Sequence, residues 1–517
     1  MCIDKLQPDK GKRFFIALFL YICSFVASPL LQAQPLKIGV ISDLHYMAPS
    51  LLIQDGAAFN KVIHTDRKLL KESPAILKAA VDNLLNDSVH IVLVTGDLTK
   101  DGERISHKEV AGMLRPLLDK GVKVLVIPGN HDINNPFARS FNGSILRSVA
   151  TVTADEFRTI YHQYGFETAI STDSCSLSYV SEPVEGLRVL CIDDCEYYKN
   201  TFISKGDAFN SCMTAGCIKP ATMQWILQQI GDAKVQGKQI IGMMHHNVVE
   251  HFDYEESLPG YMMTNHKSIE KQLMSAGLNV LFTGHFHASD IARANDQKGN
   301  SLYDVETGSI VTYPCPYRLI GLSGDSLEIE TKYIEHPNIP LPAGTDFQTY
   351  ARAELTKRLS ALMTNMVDQN YKNISSSIPQ SLASFVKIPD KQIILDMASK
   401  RLIPDATDLV LSHYCGNENL MDKATDRRDD LLKDVDDFVA DVAKESSGFF
   451  ASVTEKYINN RREMKCMKDM VNSIWNDRVE PGYPGKDGES HEPINDLNLL
   501  ILLPKSQVLS QNHPIVR

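Results

Sequence analysis

The chain has 517 residues, 43% of them hydrophobic and 23% charged, which excludes a lone small module, a largely disordered or collagen-like chain, and a multi-span membrane protein. Its 64 acidic and 53 basic residues leave a net charge of -11. No global positive field is therefore available to hold nucleic acid or an anionic membrane surface, no stable nucleic-acid partner is expected, and any bound phosphate needs a local source of positive charge.

In chain order, residues 1–33 come first. Lys5, Lys10, Lys12 and Arg13 precede an apolar run from Phe14 to Leu31, with Pro29 and the small residue Ala33 at its end. This predicts a signal peptide cleaved after Ala33 and an exported protein, periplasmic, secreted or surface-associated, with an uncleaved N-terminal anchor as the alternative. Beyond this segment lie Cys175, Cys191, Cys195, Cys212, Cys217, Cys315, Cys415 and Cys466, an even set compatible with disulfides in an oxidising compartment. Cys212 and Cys217, bracketing Met-Thr-Ala-Gly, are the local pair to test first.

Residues 34–340 alternate short β-rich apolar runs with amphipathic stretches, the pattern of a layered α/β domain. The strand candidates are Lys37–Ser42, His90–Thr95, Lys123–Pro128, Leu187–Ile192, Gln239–Met244 and Asn279–Thr283, followed by a β-rich tract from Ser301 to Tyr333. Residues 341–517 read as a mostly α-helical region. Phe347–Tyr371, Asp426–Glu445 and Phe450–Trp475 carry helical periodicity, clearest in Leu431, Val435, Phe438 and Val442. Glu480–Pro493 is a loop or disordered stretch. Leu497–Leu503 is apolar, too short to span a membrane, and fits no element read from sequence alone.

Five polar clusters stand at the ends of strand candidates: Asp43-Leu-His45, Gly-Asp97, Gly-Asn130-His131-Asp132, His245-His246 and Gly-His285-Phe-His287. In open α/β sheets the carboxyl ends of strands converge on one edge, so residues distant in sequence gather there. Residues two apart at a strand end can aim at one point, which suits Asp43 with His45 and His285 with His287 as chelating pairs. Any one cluster is an ordinary turn; five in order are a metal-site pattern.

These motifs, D-x-H, G-D, G-N-H-D, a later H and G-H-x-H, resemble those of calcineurin-like metallophosphoesterases. The resemblance covers Leu36 to about Glu335 and implies a four-layer sandwich of two mixed β-sheets flanked by helices. It further implies two divalent or trivalent metal ions, with Mn, Fe and Zn all compatible with the donor types. Asp43, His45, Asp97 and His287 would hold one ion; Asp97, Asn130, His245 and His285 the other. His131 would be the proton donor and Asp132 its orienting partner. The implied reaction is phosphoester hydrolysis by a metal-bridging hydroxide, on a phosphodiester in preference to a monoester. The run around Asp97, the Trp225 helix and Tyr303–Arg318 are similar to bacterial members grouped with cyclic-nucleotide phosphodiesterases. Purple acid phosphatases differ in needing a tyrosine where this chain has Lys100.

Around the site, His246 either reaches phosphate or packs, and Arg318 either touches substrate or pairs structurally. Asp101 reads as a turn or helix cap, His251 as a surface residue, and Phe252–Tyr261 as a rim. Two alternatives to a phosphodiesterase remain open: a phosphomonoesterase or nucleotidase of the same fold, and an exported binding protein that keeps metals for stability.

Overall fold

In the computed structural model, the described residues are 35–202, 210–376, 389–418, 424–447, 455–456, 458–460, 462–476 and 494–503. The signal segment 1–33 and the 480–493 loop lie outside them. Strands run β1 (Leu36–Ile41), β2 (Leu52–Gln54), β3 (Ile91–Val94), β4 (Lys123–Val126), β5 (Arg139–Asn142), β6 (Ile145–Ser148), β7 (Ala169–Thr172), β8 (Tyr179–Val184), β9 (Leu187–Cys191), β10 (Gln239–Met243), β11 (Val280–Thr283), β12 (Ile291–Asn295), β13 (Ser301–Glu306), β14 (Pro316–Ser323), β15 (Ser326–Tyr333) and β16 (Asn498–Leu502). The helices are α1 (Ala57–Ile63), α2 (Ser73–Asn86), α3 (Arg104–Asp119), α4 (Ala154–Ile160), α5 (Pro220–Val235), α6 (His266–Ala276), α7 (Phe347–Ser376), α8 (Lys391–Lys400), α9 (Leu402–Cys415), α10 (Ala424–Ser447) and α11 (Arg462–Asn476).

Two mixed sheets form the centre, with strand orders β16-β15-β14-β1-β3-β4 and β12-β13-β11-β10-β9-β8-β7. Parallel central strands buried on both faces explain runs such as Ile91-Val92-Leu93-Val94, apolar at every position. Ile91 and Leu93 join Val189, Ile241 and Phe282 in the layer between the sheets. Val92 and Val94 point the other way, into a layer with Ile76 and Leu77 of α2 and Leu114 of α3. The outer face of the second sheet is covered by Ile226 and Ile230 of α5 and Leu273 of α6. The result is the four-layer α/β sandwich, helices outside and sheets inside.

After Phe347 the described residues are mostly helical, as the periodicity indicates, with α8 and α9 added to the expected helices; of the expected Phe450–Trp475 helix, α11 covers the part from Arg462, and residues 450–454, 457 and 461 lie outside the described residues. The buried face of α10 is Leu431, Val435, Val439 and Ala443, spaced by four, so the seam follows an i, i+4 row in place of the expected Leu431, Val435, Phe438, Val442 stripe. The apolar tract near the C-terminus is β16. It pairs antiparallel with β15, Ile501 opposite Leu327, and so returns to the edge of the first sheet. Among the described residues no helix is long and apolar enough to cross a membrane. Cys212 and Cys217 are free thiols.

Arg318 has no place at the substrate. It sits on β14 at 0% exposure and donates to Glu306 O at 2.6 Å, Thr331 Oγ1 at 2.5 Å and the carbonyl of Asp496, tying the segment before β16 to both sheets. Arg318→Met is expected to cost about 2–4 kcal/mol, since buried carbonyls lose a charged donor. A denaturation midpoint checks this; a raised KM with unchanged stability would return Arg318 to the substrate.

Candidate metal centre

All five polar clusters meet at one edge. β1, β3 and β4 are parallel neighbours in the first sheet, and β10 and β11 are parallel neighbours in the second, so their following turns face each other across the sandwich. Backbone hydrogen bonds lock the turns together: Asp43 N–H to Gly96 O at 3.2 Å, His45 N–H to Asp97 O at 2.9 Å and Gly284 N–H to His245 O at 3.1 Å. Close approach needs glycine at two points. A Cβ on Gly129 would lie 2.2 Å from Asp97 Oδ1, and one on Gly96, itself at φ +100, would lie 2.5 Å from His245 Nδ1. Asp43, His45, Asp97, His285 and His287 all adopt positive φ, between 36° and 75°. Such conformations cost about 1–3 kcal/mol each and persist where surrounding contacts over-determine them, as at functional sites.

The donor atoms fall into two groups sharing one carboxylate. In the first, Asp43 Oδ1 lies 3.3 Å from His287 Nε2 and 3.6 Å from His45 Nε2, and those two nitrogens face each other at 3.1 Å. In the second, His245 Nε2 lies 3.1 Å from Asn130 Oδ1 and 3.4 Å from Asp97 Oδ2. Asp97 Oδ2 is also 3.6 Å from His45 Nε2, which places this oxygen between the groups. Its partner Oδ1 accepts from His131 N–H at 2.8 Å. The His285 ring stands 5.0 Å from that of His245.

The second nitrogen of each ring fixes which atom is free. His245 Nδ1 meets Thr95 O at 2.9 Å and His285 Nε2 meets Gly260 O at 2.9 Å. Donation there leaves the lone pairs of His245 Nε2 and His285 Nδ1 available as ligands. His287 Nδ1 lies 3.3 Å from Thr312 Oγ1. Asp43 Oδ2 accepts from Ser42 Oγ at 2.5 Å and His285 N–H at 2.9 Å, whereas buried Asp43 Oδ1 has no hydrogen-bond partner.

Two buried carboxylates ringed by imidazole lone pairs, one oxygen orphaned, are unfavourable without cations. Burial alone would raise both carboxyls, but His287 with His45 holds Asp43, and His245 with His131 holds Asp97, well below the usual range. Conversely, and against burial, Asp97 and Asp43 push His245 up to about 10. The cluster therefore demands positive charge, and its mixed imidazole, carboxylate and amide-oxygen donors fit first-row transition ions.

His131 stands beside the donors with 27% of its side chain exposed, Nε2 3.9 Å from Asp97 Oδ2. Its Nδ1 is held by Lys100 O at 2.7 Å and Asp101 Oδ1 at 3.1 Å. Asp132 is not its partner. That carboxylate accepts from the N–H groups of Leu98, Thr99 and Gly129 and from Thr99 Oγ1, at 2.8–3.0 Å, so it shapes the loops carrying Asp97 and Asn130. Asp101 takes the orienting role. His246 also packs rather than reaching outward: its Nδ1 lies 3.1 Å from Asp194 Oδ2 and its Nε2 2.7 Å from Thr214 O, which commits both ring nitrogens. His251 is buried, with Nδ1 3.3 Å from Asp290 Oδ1. The 252–261 rim does reach the site, through Gly260 O and the Tyr261 ring, 5.4 Å from His285. Sequence reading gave Asp101 a turn or helix-capping part in place of its contact with His131 and missed Asp194, whose only signal is a carboxylate beyond a strand end.

Residues 36–289 match the calcineurin-like phosphoesterase family. Two curated relatives, each described as a probable cyclic nucleotide phosphodiesterase, come from Vesicomyosocius okutanii subsp. Calyptogena okutanii (strain HA) and Ruthia magnifica subsp. Calyptogena magnifica. Each is 35% identical over 69 residues, 13% of this chain and 28% of the relative, so the match spans little more than a quarter of their length. Similar solved structures include a dimetal phosphatase from Danio rerio, 17% identical, covering 58% of this chain and 97% of that one with a TM-score of 0.40. Another is a purple acid phosphatase from yellow lupin seeds, 12% identical, covering 59% and 52% with a TM-score of 0.37.

Proposed function

We propose, from the premise that residues 36–289 are a calcineurin-like phosphoesterase domain, that this chain hydrolyses phosphoesters, phosphodiesters in preference to monoesters, with His131 as proton donor. The observation that carries the reading is the convergence of His45, His245 and His131 nitrogens on one oxygen of Asp97, within 3.4–3.9 Å. Asp43, His45, Asp97 and His287 would hold one ion, and Asp97, Asn130, His245 and His285 the other. When bound, the ions supply Lewis acidity to phosphoryl oxygens and generate a nucleophile from water at neutral pH.

The protein's own groups do the rest. Lys100 O and Asp101 hold His131 Nδ1, which directs Nε2 towards the site. Burial works against a proton on this ring, while the Asp101 carboxylate at 3.1 Å from Nδ1 favours one, which would let His131 supply the proton that the leaving oxygen needs. The bond from phosphorus to that oxygen breaks, the bond to water oxygen forms with one water proton released to solvent, and a proton passes from His131 Nε2 to the leaving group. The diester preference draws on the names of the two curated relatives and is the finer part of the proposal.

Turnover of bis(4-nitrophenyl) phosphate and of 4-nitrophenyl phosphate, each with Mn, Fe or Zn and each after chelation, tests it. Expected is metal-dependent hydrolysis, faster on the diester and abolished by chelator. No hydrolysis with any metal would leave a metal-stabilised binding protein, and a faster monoester would make this a phosphomonoesterase.

A further inference from the structure

The turn that presents His285 and His287 is strained at both donors, with φ of 74° and 75°. A left-handed backbone is disfavoured at any residue other than glycine and persists where surrounding contacts over-determine it. On one side the turn is held by His285, whose N–H donates to Asp43 Oδ2 and whose Nε2 meets Gly260 O, both at 2.9 Å. The other side belongs to the C-terminal helices. Phe286, the residue between the two donors, packs with Ala288 on Leu355 and Leu359 of α7 and on Leu411 and Tyr414 of α9.

The end of α9 closes on the same stretch of chain through three kinds of contact. The His413 ring stands edge-on to both Phe286 and Phe252, 5.4 Å from each, and those two rings meet at 5.6 Å, a favourable arrangement for aromatic groups. Glu418 Oε1, 2.6 Å from His413 Nδ1, holds the ring in place. Beyond it the two backbones touch: a Cβ on Gly416, itself at φ +74, would lie 2.4 Å from Ser289 O. Asp496 then staples the segments together, accepting from Ile291 N–H at 3.0 Å and Asn417 N–H at 2.8 Å. Ring, backbone and carboxylate contacts thus follow the chain from Phe286 to Ile291.

We infer that His413 and Phe286 are positioning residues for metal binding: α9 braces the His285-Phe286-His287 turn so that each histidine meets its ion, which makes the C-terminal helices a working part of the metal centre. This rests on the phosphoesterase reading, which assigns His285 and His287 as ligands.

The test is calorimetric titration of Mn into the chelator-treated full chain, comparing wild type with His413→Ala, His413→Phe and Val435→Ala, with the melting temperature of each metal-free protein. Val435 belongs to a separate helical core with Leu409, Leu431 and Val471, so its truncation controls for lost stability. His413→Ala is expected to weaken Mn about tenfold, the lower end for groups that orient metal ligands. His413→Phe restores the ring but not the hydrogen bond to Glu418, so it should melt below wild type and yet recover the affinity. Val435→Ala should melt lower with no change in affinity. Turnover of His413→Ala should fall at limiting Mn and return when Mn is raised about tenfold. Should His413→Ala not fold, Phe286→Ala removes the same contact from the turn and is read in its place. Wild-type affinity in His413→Ala would overturn the inference, as would an equal loss in Val435→Ala or no recovery in His413→Phe, because affinity would then follow helix stability alone. Wild type that binds no Mn would sink the phosphoesterase reading as well; wild type that binds Mn and hydrolyses, with His413→Ala unaltered, would sink the inference by itself.

Discussion

Asp97→Ala is expected to abolish activity more completely than any other single substitution in the centre, by on the order of 10³-fold or more. Its Oδ2 faces nitrogens from both donor groups and its Oδ1 fixes the backbone of His131. Removing it deletes a ligand from both ions, leaves their repulsion unscreened and frees the loop that carries His131. Lewis-acid stabilisation is worth several kcal/mol, and each 1.36 kcal/mol is tenfold in rate. Asn130→Ala touches one group only and should lose about 10–100-fold. Because Asp97 sits in a strained turn, Asp97→Asn serves as the companion variant: it retains shape and an acceptor for His131 N–H while losing the charge. Metal content by elemental analysis and kcat/KM on an aryl diester are measured together. Full occupancy with near-normal turnover in either Asp97 variant would refute the shared-ligand assignment.

His131→Ala separates proton transfer from metal binding. Nitrophenolate leaves without a proton, whereas an alkoxide such as a ribose oxygen requires one, so general-acid help of about 10²–10⁴-fold applies to the second alone. The variant is expected to keep both ions and lose far more kcat/KM on an alkyl or nucleotide diester than on an aryl diester. Asp101→Asn, which weakens the hold on Nδ1, should show the same pattern at smaller size. Equal losses on both substrates at full metal occupancy would assign His131 to stabilising transition-state charge instead.

The candidate ligand residues, which the structure brings to one edge, were legible because each is local to a strand end: an apolar run followed by a turn with Gly, Asp, Asn or His carries its position with it. The resemblance then supplied the pairing of ligands, which spacing alone leaves open. What escaped was non-local. The Asp132 carboxylate, adjacent to His131 in sequence, turns back to the Leu98 and Gly129 amides, while Asp101, thirty positions before His131, comes within 3.1 Å of its ring. The tract 497–503 has no periodicity to favour strand or helix, and only the open edge of β15 makes it a strand. Arg318 reads as either a substrate contact or a structural pair, and Glu306 O and Asp496 O placed around it decide for the second.

The order of strands in the first sheet governs how this protein is born. β1 pairs on one side with β3, about 50 residues on, but on its other side with β14, where Val40 meets Arg318 about 280 residues later. At roughly 5–20 residues per second of synthesis, that partner emerges on the order of 15–60 s after β1. Throughout that interval an apolar strand with one bare edge must wait, and β15 waits again for β16, some 170 residues further on. Long loop closures before rewarding contacts make slow folding the expectation for this topology, and a nascent chain that needs protection from edge-to-edge association until its last strand has been made.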